Sequence, residues 1–510
     1  MKKHWKKVTS VVFAVLLVAS VISALFISSN TQAIQAGNEI AVTETVAKKA
    51  TEPPKYIFLF IGDGMSYPQI QTASYYLGAK ASDGGVVSIP LSFMDFPVSG
   101  AAETYDSTSF APDSASTATS IATGYKTYSG VINMDTTFTK KFEAISEKLK
   151  NQLGYKIGII TSVNLNHATP AAFYAHQPSR SNYYEIGLEL IESDFDYFAG
   201  GALISPTGKK GDQKDLYKIA RDKGYKVVTE QKDAEKLSSN DGKVIVIAET
   251  LADADSISYE IDARENEWRL ADYVKKGIEM LYNDKGFFMM VEGGKIDWAC
   301  HANDAATTIH DTIALGNAVE AAVAFYNEHP GDTLILVTGD HETGGLSIGF
   351  AGTNYDTFLT NLINQKISYA KFDSDYVANY KKNSTEFPDV LKDIESNFGL
   401  VPKYNAKPNT NPNLILTDYE YKKLYEAYRK TMDGYRQLNE EEYILYGTYE
   451  PLTVTITHIL NNKSGISFTS YAHTGLPVPV FALGNGSELF EGYYDNTDIY
   501  FKLAELTSVK

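Results

Sequence analysis

The residues best suited to chemistry fall in a few short motifs. Ala111–Gly124, APDSASTATSIATG, sets Asp113 and Ser114 at the start of a run of small residues that reads as a helix. A serine hydroxyl is a weak nucleophile until a base takes its proton or a cation lowers its pKa. No histidine lies near Ser114 along the sequence to serve as that base. The chain offers instead carboxylates and imidazoles just past apolar runs: Asp63 in IGDGM, Glu292, Asp297 and His301 in VEGGKIDWACH, Asp340 and His341 in VTGDHETGG, and His473 in YAHTG. Together these are the ligand chemistry of a metal cluster. Singly, each has a plainer reading. Asp63 suits a turn or a helix cap, Asp340 could cap beside a surface histidine, and His473 could be a loop histidine. The adjacent pair Asp340 and His341 can converge on one ion, and the spacing of Glu292, Asp297 and His301 suits a loop entering a helix.

These residues need strands to hold them. Apolar runs of strand length recur at Tyr56–Ile61, Lys156–Thr161, Lys243–Ala248, Gly286–Glu292, Thr333–Thr338 and Val478–Leu483, with helical patterns between most of them. The alternation predicts an α/β fold with a mainly parallel central sheet sandwiched by helices. Ligands in such sheets gather at the carboxyl ends of strands. Asp63, Glu292 and Asp340 each fall at or just beyond such an end, and Asn164–Thr169 follows another.

From 350 to 450 the pattern changes to a segment rich in Tyr, Asn, Lys and acidic residues, holding thirteen tyrosines, with Tyr419, Tyr421, Tyr425 and Tyr428 on a predicted helix. Tyrosine combines a large apolar ring with a polar end and suits interfaces. The segment reads as an inserted subdomain that mediates dimerisation or covers the active site, with a solvated elaboration as the alternative.

The chain has 510 residues and a formal charge of −17. That balance argues against nucleic acid or an anionic membrane as partner, and an anionic substrate would need a locally positive site, which divalent cations supply. MKKHWKK, the apolar run Val8–Ile27 and Thr31-Gln32-Ala33 read as a signal peptide over 1–33, with a polar tether over 34–54 and the folded domain over 55–510. The apolar run is also about as long as a membrane span, so a retained anchor stays open. Either way the folded part is exported. The single cysteine, Cys300, excludes an internal disulfide and reads as a packing residue.

Taken in order, IGDGM, APDSASTAT, NHATPAAFYAHQPSR, VEGGKIDWACH, VTGDHETGG and YAHTG resemble the alkaline phosphatase family, with a match running from about Tyr56 to Leu483. The resemblance implies a phosphomonoesterase with a phosphoserine at Ser114, two zinc ions and one magnesium ion. Asp297, His301 and His473 would bind one zinc, and Asp63, Asp340 and His341 the other. Asp63 would bridge to magnesium, with Thr169 and Glu292 completing its protein ligands. Arg180 matches the arginine that clamps phosphate, and Asp113 would orient it. A homodimer is implied as well. Two positions depart from the enterobacterial pattern: His167 replaces an aspartate near magnesium and Trp298 replaces a lysine that reaches phosphate through water. Both resemble marine bacterial members. They leave the third site open between magnesium and zinc, and they imply weaker product binding. Three rival readings remain. A sulfatase lacks support because Ser114 has no Pro and Arg in the required context. A phosphodiesterase would not need Arg180, and a non-catalytic metal-stabilised binding protein would not need every role filled.

Overall fold

The strand Tyr56–Gly62 (β1) shows how the core is divided. All seven residues are buried. Tyr56, Phe58 and Phe60 enter one hydrophobic cluster, while Ile57, Leu59 and Ile61 enter another on the opposite side. This is the period-2 alternation of a strand buried on both faces. The same split holds for Phe287 and Met289 against Phe288 and Met290, and for Ile335 and Val337 against Leu334 and Leu336. The computed structural model describes residues 52–434 and 439–510. The signal peptide and nearly all of the tether expected from the sequence lie outside the described residues.

The remaining strands are β2 (Val98–Glu103), β3 (Lys156–Asn164), β4 (Tyr197–Gly201), β5 (Lys226–Val228), β6 (Val244–Ile247), β7 (Phe287–Glu292), β8 (Thr333–Gly339), β9 (Glu342–Thr343), β10 (Ser347–Ile348), β11 (Ile466–Ser467), β12 (His473–Thr474), β13 (Val478–Gly484) and β14 (Gly492–Asp495). Ten of them form one sheet in the order β14-β2-β13-β8-β1-β7-β3-β4-β6-β5. From β8 through β5 the pairs are parallel, and helices cover both faces. The α/β class with a mainly parallel sheet is as the sequence predicts.

Two features differ from the sequence reading. The run at Val478–Leu483 is a strand, but β13 lies antiparallel to both β8 and β2. An apolar run carries no mark of direction. Four sheet strands were not read at all: β2, β4, β5 and β14. β2 and β14 are only partly buried, β4 is the short run YFAGG, and β5 has three residues.

The segment 350–450 is largely helical, and Asp418–Met432 is a helix. Its apolar side chains Leu362, Phe372, Ile394 and Leu424 join the core on the Phe58 face of the sheet. Tyr421, Tyr425 and Tyr428 ring Phe387, whereas Tyr404 and Tyr419 are exposed. Among the described residues, no helix is long and apolar enough to cross a membrane.

Candidate metal and phosphate site

Ser114 opens the helix Ser114–Thr123, whose ten residues are all buried. Its small side chains permit that burial, and Gly124 ends it in the left-handed region at φ 76°. A Cβ at Gly124 would lie 2.5 Å from Tyr500. Asp113 caps the start: its Oδ1 accepts from Ser116 N at 3.1 Å and Gly130 N at 2.8 Å, leaving Oδ2 to accept from Arg180 Nη1 at 2.9 Å. Burial pushes the Asp113 carboxyl up, but the Arg180 guanidinium and the Gly130 amide outweigh it and hold the group below its ordinary value.

The fold also brings a histidine to the serine. Ser114 Oγ lies 3.1 Å from His341 Nε2 and 3.4 Å from Asp63 Oδ1, although His341 is 227 residues away in sequence. The residues after β1 and β8 supply one donor group, because those strands are neighbours and end together. His341 Nε2 is 3.3 Å from Asp63 Oδ1 and 3.3 Å from Asp340 Oδ2, with all three side chains fully buried. Asp340 is oriented by Gly64 N at 3.1 Å, His341 N at 2.9 Å and Thr117 Oγ1 at 3.2 Å. Burial and the facing carboxylate of Asp297 raise Asp340 to about 8, and burial with Asp340 raises Asp63 well above its ordinary value.

A second group joins the helix Lys295–His301 to β12. Asp297 Oδ1 lies 3.3 Å from His301 Nε2 and 3.6 Å from His473 Nε2, and the two imidazole nitrogens are 3.1 Å apart. His301 Nδ1 donates to Tyr471 O at 2.6 Å and His473 Nδ1 to Pro112 O at 2.5 Å. With those protons fixed, both neutral rings aim their Nε2 lone pairs at one point, shared with a carboxylate oxygen. Such a point needs positive charge. Burial lowers His301, but Asp297 overrides it and raises the ring to about 9, so a proton serves there; a divalent cation satisfies all three donors at once.

A third group sits on the far side of Asp63. Ligand atoms of Asp63, His167 and Glu292 lie within 4.8 Å of one another, and Thr169 Oγ1 is 3.5 Å from Asp63 Oδ2. Thr161 donates to Glu292 Oε2, while Glu292 Oε1 is buried without a partner. A buried carboxylate oxygen left bare beside another carboxylate fits a cation. Burial raises Glu292 to about 7. Arg180 Nη2 donates to His167 Nε2 at 3.3 Å, and His167 Nδ1 has no partner. Burial, reinforced by Arg180, lowers His167 to about 3.

The candidate metal ligands read from the sequence therefore fall into three adjoining groups near Ser114 and Arg180. Trp298 stands at the rim, edge-on to His167 with ring centroids 5.9 Å apart. Beneath it lies a residue that the sequence reading passed over. Lys295 is fully buried, bonded to Asp253 Oδ1 at 2.6 Å, and its ammonium sits 3.6 Å from the Tyr259 ring centroid and 4.8 Å from that of Trp298. Its neighbourhood comes from residues about 40 positions earlier, so VEGGKIDWACH alone could not reveal it. Asp106 was also passed over. Its buried carboxylate accepts from Ser116 Oγ at 2.7 Å and Thr108 N at 2.6 Å, tying the Ser114 helix to the preceding loop. Glu342 accepts from Gln69 Nε2 at 2.7 Å and also from Thr474 Oγ1, beside His473. Cys300 is buried against Gln69 and Thr308 and donates nothing to the cluster. His176, His310, His329 and His458 bond or stack elsewhere.

Comparison with known proteins gives the family and the fold. The family model for alkaline phosphatase matches residues 54–509. Alkaline phosphatase 4 of Bacillus subtilis is 30% identical over 491 residues, covering 94% of this chain and 95% of the relative. Among solved structures, the cold-active alkaline phosphatase of a psychrophilic Shewanella superposes with a TM-score of 0.72 at 28% identity, over 89% of this chain and 99% of the other. The alkaline phosphatase of the Antarctic bacterium TAB5 gives a TM-score of 0.60 at 25% identity, over 90% and 99%, and one of its histidine-to-glutamate variants holds Mg in its M3 site. With the family matched along nearly the whole described chain and the fold shared end to end, the protein belongs to the alkaline phosphatase family and is a phosphomonoesterase.

Proposed function

We propose that the chain is an exported, metal-dependent phosphatase that hydrolyses phosphate monoesters through a phosphoserine on Ser114. The observation that carries the reading is the convergence of three donor clusters and the Arg180 fork around one buried serine hydroxyl. Asp297, His301 and His473 would hold one zinc, and Asp63, Asp340 and His341 a second. Asp63, Glu292 and Thr169 would hold magnesium, with His167 close by. Magnesium in the M3 site of the TAB5 variant supports a third position of this kind. When bound, the metals supply positive charge that lowers the pKa of the serine hydroxyl and of the leaving alcohol.

The chain's own residues do the rest. Arg180, aimed by Asp113, presents two N–H groups to the non-bridging oxygens of a phosphate, which a lysine could not match. The N-terminal amides of the Ser114 helix add favourable potential where the anion rests. Ser114 Oγ attacks phosphorus in line as the bond to the leaving oxygen breaks, and water then cleaves the phosphoserine from the opposite side. The Asp113 carboxylate, held in its ionised form by Arg180, orients the clamp and moves no proton. Trp298 supplies no charge to the product, which favours phosphate release. A homodimer and the leader over 1–33 belong to the same reading, and the exposed Tyr404 and Tyr419 support an interface on segment 350–450.

The test is phosphate release from p-nitrophenyl phosphate at alkaline pH, before and after chelation and after restoring zinc with magnesium. Activity that disappears and returns with metal supports the reading. A folded, metal-loaded protein without activity overturns it and directs attention to diesters.

A further inference from the structure

Thr343 touches two of the three donor groups, through Asp297 and His341. It lies in β9, opposite His473 in β12. Its amide donates to Gly64 O at 3.2 Å, next to Asp63, and its carbonyl accepts from Gln69 Nε2 at 3.1 Å. Its Oγ1 lies 2.6 Å from Asp297 Oδ1 and 3.2 Å from His341 Nδ1, and the residue is fully buried. A hydroxyl has one proton to give and lone pairs to receive. An ionised carboxylate only accepts, so the proton goes to Asp297. The same oxygen must then accept from His341 Nδ1–H. That bond leaves His341 Nε2 with its lone pair directed at Asp63 and Asp340. One hydroxyl thus orients a donor in each of two clusters, and the β-branched side chain on a strand has little freedom to choose another rotamer.

We infer that Thr343 is a positioning residue shared by the two proposed zinc sites, so that losing its hydroxyl weakens metal binding at both. The inference rests on the metal reading above. Thr343→Val keeps the shape but leaves His341 Nδ1–H without an acceptor and frees Asp297 to rotate. Removing such outer partners of metal ligands lowers affinity by about 10–100-fold.

The experiment titrates metal-free protein with cobalt and reads the visible bands of the bound ion, independent of catalysis. The two proposed zinc sites are separated in turn, with magnesium present throughout for the third donor group, in a His473→Ala background that leaves the Asp63 cluster and in an Asp340→Ala background that leaves the Asp297 cluster. Thr343→Val is expected to lower cobalt affinity about 10–100-fold in both. Thr343→Ser, which keeps the hydroxyl and drops the methyl, is expected to stay within about threefold of the parent, the retained hydroxyl still serving both metal ligands. Unchanged affinity in either background with Thr343→Val overturns the inference, as does a Ser variant as weak as the Val variant. A folded parent protein that takes up no cobalt overturns both this inference and the metal reading.

Discussion

Replacing Asp113 by Asn isolates the orienting role of one charge. The amide oxygen can still accept from Ser116 N and Gly130 N, so the cap persists. At the other end an NH2 group replaces the oxygen that accepts from Arg180 Nη1 at 2.9 Å, setting donor against donor. A hydrogen bond between charged groups contributes about 1.5–3 kcal/mol. The two side chains are 25% and 22% exposed, so water recovers part of the loss and the lower half of that range applies. At about 1.4 kcal/mol per factor of ten, kcat/KM for p-nitrophenyl phosphate should fall about 10–40-fold, mostly through KM, because the loosened guanidinium still carries its charge. The assay is a steady-state series between pH 6 and 11 with metals saturating. The reasoning fails if kcat drops more than about a hundredfold while KM holds, or if one limb of the pH profile vanishes, since either would make Asp113 an acid or base. Asp113→Ala should add about 1 kcal/mol of destabilisation, measurable in urea, from loss of the cap.

Three further outcomes are expected. Ser114→Ala should abolish labelling by inorganic phosphate at acidic pH, where the proposed mechanism has wild-type protein forming the phosphoenzyme, while its thermal unfolding stays close to that of the parent; labelled Ala variant would place the nucleophile elsewhere. Chelated protein should lose stability as pH rises from about 6.5 to about 8, above the range in which the buried neutral histidines oppose the trend, because Glu292 and Asp340 have raised folded-state pKa values, near 7 and 8, and burial favours their protonated forms. Stability from such groups is complete below the unfolded value and lost as pH climbs through the folded one, so a flat melting-temperature profile for chelated protein would contradict the charge cluster. Trp298→Lys should strengthen competitive inhibition by inorganic phosphate about threefold to tenfold, since it adds a cation near the clamp; unchanged inhibition would mean that Trp298 faces away from the product.

What was legible in the sequence follows from how local each feature is. Asp63, Glu292 and Asp340 could be found because a parallel strand and the turn beyond it are contiguous in the chain. The cap at Asp113 and the helix after it are local for the same reason. Thr343, Asp106, Glu342 and Lys295 escaped notice because each acts through partners brought in by strand order. Lys295 in particular looks like a solvated lysine until Asp253, Ser256 and Tyr259 enclose it. The antiparallel run of β13 was equally hidden, since only its neighbours β8 and β2 define direction. The low visibility of β2 and β14 has another cause: each is half-wetted, which blurs alternation.

The bond from His473 Nδ1 to Pro112 O spans 361 residues, and it sets the loop two positions before Ser114. During synthesis that loop waits for the last donor of the cluster to emerge. The His301 ring likewise waits for a partner 172 residues further on. A chain that ends short of His473 therefore has every residue of the Asp63 groups but lacks the third donor of the Asp297 group, whose completion is a property of the finished fold. On the proposed metal reading, the Asp297 group would take its ion only after the last strand that carries a donor is in place.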